Sequence, residues 1–117
     1  TNAAEVARVE AAGGRVAGGR VGGLAVSRAL GDHALKDMGV IALPDCTTVA
    51  LGGDDRYVLL ASDGVWDVLS LEAAHALVLR HEAETLQEVA QRLVQTAVQR
   101  GSRDNVSAML VDVRGFR

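Results

Sequence analysis

The spacing of apolar positions changes several times along this chain, and each change marks an element. The clearest period lies toward the C-terminal end. Leu86, Val89, Ala90, Leu93, Val94 and Ala97 repeat at the i, i+3, i+4, i+7 intervals of a single helical face. Thr85 precedes them and Glu88 stands three positions on, the signature of a capping box. Gly101 supplies a stop. Ser70 is placed to cap another helix, running from about Leu71 to His81. Residues 3–12 form an alanine-rich stretch closed by Gly13-Gly14 and predict a short helix.

Other segments lose the helical period. Residues 57–61 (YVLLA) are a continuous apolar run, which predicts a strand buried on both faces. Residues 106–113 (VSAMLVDV) predict a closing strand, and residues 24–28 (LAVSR) a strand that enters a turn at Gly31-Asp32. Between Gly13 and Gly23 the tetrad GGRV occurs twice, which reads as turns and a hairpin around short strands. A phosphate-cradling loop is the alternative there, but the lysine and following Ser/Thr of such a loop are missing. Residues 40–51 predict short extended pieces broken at Pro44-Asp45, and residues 52–55 a hairpin-like turn. Strands, then a helix pair, then a strand define a mixed α/β (α+β) architecture with helices lying on a sheet.

Composition narrows the function. Hydrophobic residues make up 49% of 117 positions, so the chain is globular in character. Phe, Trp and Tyr occur once each, so the core is aliphatic. The net charge is -3 and Lys36 is the only lysine, which argues against a nucleic-acid binder. No apolar run approaches the roughly 20 residues of a membrane span. Cys46 is alone and cannot form an intrachain disulfide, which fits a reducing compartment, the cytoplasm or nucleus. The residues after Cys46 do not form a Cys-x5-Arg loop, so a cysteine-nucleophile phosphatase finds no support.

Three segments set polar residues against apolar strands: Ser27–Asp32, Ala61–Asp67 and Gly101–Asn105. Asp63 directly follows the most hydrophobic strand, where a carboxylate must be paired, hydrogen-bonded or bound to a cation. Gly64 lets the backbone turn sharply beside it. A plain Asp-Gly turn is the competing reading. Asp104 lies in a polar loop before the final strand and is either a turn aspartate or a ligand. Two strand-end carboxylates can converge on a hard cation such as Mg²⁺ or Mn²⁺, although two are thin for a complete site. Arg28 and Asp32 are four apart, and a local ion pair is the preferred reading; phosphate binding by the Arg28 fork is the alternative. His33, His75 and His81 read as solvated surface groups, and Trp66 as a packing anchor.

Taken together, these segments resemble the PP2C (PPM) family of metal-dependent protein serine/threonine phosphatases. Ser27-Arg28-Ala29-Leu30-Gly31-Asp32 is similar to its Ser-Arg-x-x-Gly-Asp motif. Ala61-Ser62-Asp63-Gly64-Val65-Trp66-Asp67 is similar to its Ala-Ser-Asp-Gly-x-Trp-Asp motif. Gly101-Ser102-Arg103-Asp104-Asn105-Val106-Ser107 is similar to its closing motif, and Glu5–Val16 to the segment before the first. The resemblance implies part of a sandwich of two antiparallel β-sheets flanked by α-helices. It implies two Mg²⁺ or Mn²⁺ ions whose bridging water attacks phosphoserine or phosphothreonine. It assigns Asp63 and Asp104 as ligands of one ion, and Arg28, Asp32, Gly64 and Asn105 as supporting motif residues. Expected partners are phosphoprotein substrates, with no nucleic acid and no membrane.

The family's Asp-Gly-His-Gly-Gly motif does not occur in this sequence. The expectation is that residues 1–117 are the C-terminal portion of a phosphatase domain, inactive alone, with the remaining ligands on an N-terminal half. A catalytically dead regulatory or phosphoprotein-binding module is the alternative. Sheet edges and a core face left uncovered are expected to make the piece marginally stable.

Overall fold

The computed structural model describes residues 2–115 and divides the chain into two compact units, residues 1–49 and 50–117. The first unit opens with helix α1 (Ala3–Ala11). Asn2 caps it, its side-chain oxygen accepting from the backbone N–H groups of Ala4 at 3.0 Å and Glu5 at 3.4 Å. The double GGRV folds as the expected hairpin, with β1 (Val16–Ala17) antiparallel to β2 (Arg20–Val21). Val9, Val21 and Val40 are buried together, with Val16, Leu24, Ala29 and Leu35 packed around them.

Two expectations fail in this unit. Residues 24–28 form no strand: Leu24 bridges Val21, and Arg28 makes one parallel bridge to Ile41. The Ala29 N–H donates to the Ile41 carbonyl at 2.9 Å and the Ile41 N–H to the Ser27 carbonyl at 3.2 Å, so the extended run pairs for a single residue only. Of the short extended pieces expected over residues 40–51, Ile41 makes that bridge and residues 42–49 enter no strand pairing. The turn at Gly31-Asp32 does form, with φ of 84° and 49°, but it leads into a 3₁₀ helix (His33–Met38) that no periodicity announced.

The second unit is an antiparallel strand pair carrying helices. β3 (Tyr57–Ala61) pairs with β4 (Ala108–Asp112) in the register Tyr57↔Asp112 to Ala61↔Ala108. Between them come α2 (Asp63–Trp66), α3 (Leu71–Arg80) and α4 (Leu86–Gln99). Ser70 caps α3, accepting from the Ala73 N–H at 3.2 Å, and Thr85 with Glu88 forms the full capping box of α4. Gly52 and Asp55 close a turn at 3.3 Å before β3, although no strand precedes it to complete a hairpin.

The centre of the α4 stripe is buried, with Val89, Leu93 and Ala97 each 2% exposed or less and Ala90 and Val94 half-buried, whereas Leu86 in the first turn is exposed. Val89 and Leu93 meet Ala74 and Val78 of α3 and Leu110 of β4, with Tyr57, Leu59 and Ala108 of the sheet packed against them. Ala97 meets Val65 and Leu69. Trp66 touches both clusters, and its indole N–H donates to the Ala61 carbonyl at 3.0 Å.

Burial of YVLLA on both faces is overturned. Tyr57, Leu59 and Ala61 face the helices, whereas Val58 is 38% exposed and Leu60 53%. Their register partners on β4 are Val111 and Met109, and Met109 is 62% exposed. The outer face of the pair is thus apolar and in contact with solvent at Val58, Leu60 and Met109. The fold is α+β, with antiparallel pairing throughout its two strand pairs.

Candidate functional site

Two motif-bearing places emerge, one in each unit. In the second unit the loop after β3 and the loop before β4 are sewn together. The Ser62 N–H donates to the Ser107 carbonyl at 3.0 Å, and the Ser107 N–H donates to Ser62 Oγ at 3.0 Å. Ser62 Oγ in turn donates to the Asn105 carbonyl at 3.1 Å. From the far side, Ser102 Oγ donates to the Gly64 carbonyl at 2.7 Å.

Gly64 completes this seam for a reason other than a sharp turn. Its backbone is helical, within α2, and its φ is not positive. A Cβ added there would stand 2.3 Å from the Asn105 carbonyl oxygen and 3.1 Å from its carbon, both backbone atoms. Only glycine permits α2 and the loop before β4 to approach this closely. Ser102 is placed by the end of α4. The Gly101 N–H donates to the Val98 carbonyl at 3.0 Å and the Ser102 N–H to the Ala97 carbonyl at 3.1 Å. With Gly101 at φ 91°, this is a Schellman cap, and it delivers the serine hydroxyl to Gly64.

Asp63 and Asp104 stand on the two sides of this seam, and both are exposed. Each carboxylate accepts one hydrogen bond, from the N–H of its own successor: Gly64 at 2.9 Å and Asn105 at 2.7 Å. Neither is in an ion pair among the described residues. No group of three or more His, Cys, Asp or Glu side chains able to hold a metal occurs among the described residues.

In the first unit the Ser27-Arg28 motif closes on Glu5. Arg28 donates through Nε to Glu5 Oε1 and through Nη2 to Oε2, both at 2.9 Å. Arg8 adds bonds to Oε1 at 3.0 Å and 2.6 Å, and Ser27 Oγ one at 2.7 Å. These donors, Arg28 first, then Arg8 and Ser27, hold the Glu5 carboxyl well below the usual carboxylate range. Both arginines also bind backbone: Arg28 the Leu43 carbonyl at 2.9 Å, and Arg8 the carbonyls of Gly39 and Ser27 at 2.9 Å and 3.1 Å.

The expected Arg28–Asp32 pair is therefore replaced. Arg28 reaches a carboxylate on α1, 23 residues away, while its backbone bridges Ile41. Asp32 instead sits in the left-handed region at φ 49° before the 3₁₀ helix, and its side chain caps nothing. Its backbone carbonyl accepts from the Leu35 N–H at 2.9 Å. Among the histidines, His33 and His75 are exposed, but His81 is half-buried with Nδ1 2.8 Å from Glu84 Oε1. Glu5, Ser62, Ser102 and Ser107 were not singled out as single residues by the sequence. Glu5 had one signal, an acidic residue in the first turn of a helix, which ordinarily answers the helix dipole.

The protein phosphatase 2C family model matches residues 1–106. The chain belongs to the protein phosphatase 2C family. It is 47% identical over 108 residues to "Probable protein phosphatase 2C 69" of Arabidopsis thaliana, covering 89% of this chain and 30% of that one. It is 39% identical over 130 residues to "Probable protein phosphatase 2C 8" of Oryza sativa subsp. japonica, covering 97% and 32%. Among solved structures, a C. elegans sex determining protein matches with a TM-score of 0.83 and 35% identity, over 95% of this chain and 29% of that one. A phosphatase from Toxoplasma gondii matches with a TM-score of 0.75 and 30% identity, over 94% and 38%. The chain thus spans about a third of the length of these matched proteins.

Proposed function

We propose that residues 1–117 are the C-terminal portion of a phosphatase 2C domain that removes phosphate from phosphoserine and phosphothreonine in proteins. The observation that carries this reading is the pair of exposed carboxylates, Asp63 and Asp104, flanking one hydrogen-bonded seam with no cationic partner among the described residues. Exposed, uncompensated carboxylate oxygens are the donor type that Mg²⁺ and Mn²⁺ prefer, so the residues fit the metal the family implies. Asp63 and Asp104 would hold one ion, and further ligands would come from another segment of the domain. A bound ion of this kind lowers the pKa of its water and neutralises charge on phosphoryl oxygens.

The chain's own contribution is to fix its two ligands. The N–H groups of Gly64 and Asn105 each hold one oxygen of the neighbouring carboxylate, which limits how the side chain can rotate. The serine bonds and the Gly64–Asn105 approach set the spacing of the loops that carry them. The Glu5–Arg28 clamp serves the scaffold, since its charges are spent on one another.

Mn²⁺ binding followed by electron paramagnetic resonance tests the ligand assignment on this chain directly. The expected result is weak binding that falls about tenfold or more in Asp63→Asn and in Asp104→Asn, since ligand charge sets affinity at such sites. Unchanged binding in both variants would overturn it. The chain alone is expected to release no phosphate from a phosphothreonine peptide. Joined to a segment carrying further acidic ligands, it is expected to turn over with Mn²⁺. Phosphoprotein binding without turnover in that joined protein would favour a regulatory module instead.

A further inference from the structure

Away from the Asp63–Asp104 seam, α3 and α4 enclose a groove of about 370 Å³ whose walls differ in character. The α3 wall presents Ala73, Ala76 and Leu77, small or half-buried residues ending at Arg80. The α4 wall presents Arg92, Gln95, Thr96 and Gln99 at i, i+3, i+4 and i+7, ending at Arg100. Three arginines therefore surround one groove in a chain whose net charge is -3.

Two of the three charges are not spent locally, while Arg92 pairs with Glu84. Arg80 and Arg100 are exposed and enter no ion pair among the described residues. Both oxygens of Glu84 are taken, by His81 at 2.8 Å and Arg92 Nε at 2.6 Å, and the Glu88 carboxylate also acts on Arg92 from nearby. The Nη groups of Arg92 make no hydrogen bond among the described residues. Nor do the side chains of Gln95, Thr96 and Gln99, which offer donors and acceptors in a row.

We propose that this groove docks an acidic peptide segment of a partner protein. Carboxylates of the segment would meet Arg80, Arg92 and Arg100, whose planar forks suit them. The amides of Gln95 and Gln99 match a peptide backbone, which also both donates and accepts. From Ala73 to Arg80 the α3 wall runs about 10 Å, enough for about three extended residues. The two alanines leave room for a main chain. A nucleic-acid strand fits less well, because no Phe, Tyr or Trp lines the groove among the described residues and its one ring, His81, is held against Glu84. Docking here is independent of any chemistry at Asp63 and Asp104.

The test is fluorescence anisotropy of a labelled oligo-glutamate peptide with the 117-residue chain, at low salt and at about 0.15 M salt. Binding is expected, weakening with salt and absent for oligo-glutamine. Arg80→Gln and Arg100→Gln are expected to weaken it about two- to fivefold each, the range of exposed ion pairs, and the triple variant with Arg92→Gln to abolish it. Arg15→Gln, in the other unit, controls for net charge and should change nothing. In parallel, amide resonances of Ala73, Ala76, Gln95 and Gln99 should shift on titration. The proposal fails if oligo-glutamate does not bind, or if the triple variant binds it as well as the parent. It also fails if inorganic phosphate shifts the same resonances with equal affinity, marking a simple anion site, or if oligo-uridylate binds more tightly than oligo-glutamate.

Discussion

Glu5 and the Asp63–Asp104 pair present the same functional group in opposite circumstances. The Glu5 carboxylate is met by two guanidinium groups and a hydroxyl, and every one of those donors belongs to the chain. Among the described residues, the two aspartates are met only by the N–H that follows each of them. Rigidity is achieved in both places by different means. In the first unit it comes from charge, through arginines that bridge α1 to the 27–29 and 39–43 segments. In the second it comes from neutral serine and backbone bonds and from the absence of one Cβ. A carboxylate that holds a scaffold together is consumed by doing so. The two aspartates, ordered by neutral groups, keep their charge available for the cation proposed above.

Gly64→Ala should break the neutral seam most severely. The new methyl would meet the Asn105 backbone at 2.3 Å, so one loop must move, at about 1–3 kcal/mol or more. Urea denaturation would measure the loss, and the amide resonances of residues 102–107 would report the displacement. Retained stability with unmoved resonances would mean that the seam is softer than its contacts imply.

Glu5→Gln should come next, and it should act on the first unit. Two arginines lose their counter-charge, and the slow amide exchange of α1 and of Ala29 should quicken. The clamp also has a pH signature. Because the folded carboxyl lies below its ordinary range, the stability it confers is complete above that range and disappears as pH falls through the depressed folded value. Acid titration of α1 helicity should show this loss in the parent and not in Glu5→Gln.

Ser102→Ala should have a smaller effect. It removes the 2.7 Å bond to the Gly64 carbonyl, a loss of about 0.5–1.5 kcal/mol by urea denaturation. Smallest of all should be Asp63→Asn and Asp104→Asn, whose thermal midpoints in metal-free buffer should match the parent. A marked change in either would show these aspartates to be structural, like Glu5, and would erase the contrast.

What was readable from the sequence followed local rules. The capping box, the α4 stripe and the Gly101 stop are encoded within a few residues of one another, and all three stand. Asp63 and Asp104 were legible as candidates because a carboxylate beside an apolar strand demands a reason. What depended on distant contacts was not legible. Arg28 chose Glu5 over Asp32 through an approach across 23 residues that no spacing rule encodes. Gly64 was noticed for the wrong reason, since a steric limit set by Asn105 cannot be seen in an Asp-Gly dipeptide. The YVLLA run illustrates a third limit. Continuous apolarity tells that a strand can be covered on both faces, not that this chain covers both.

The Schellman cap at the end of α4 ties a rate to a geometry. Its closing bonds, Gly101 to Val98 and Ser102 to Ala97, belong to the last turn of a helix, where fraying begins. Each time that turn opens, the Ser102 hydroxyl leaves the Gly64 carbonyl, and the Asp63 loop loses one of its fasteners. The lifetime of the ordered aspartate loop is thereby coupled to the opening frequency of a helix end. Hydrogen exchange at the Gly101 and Ser102 amides becomes a clock for that loop.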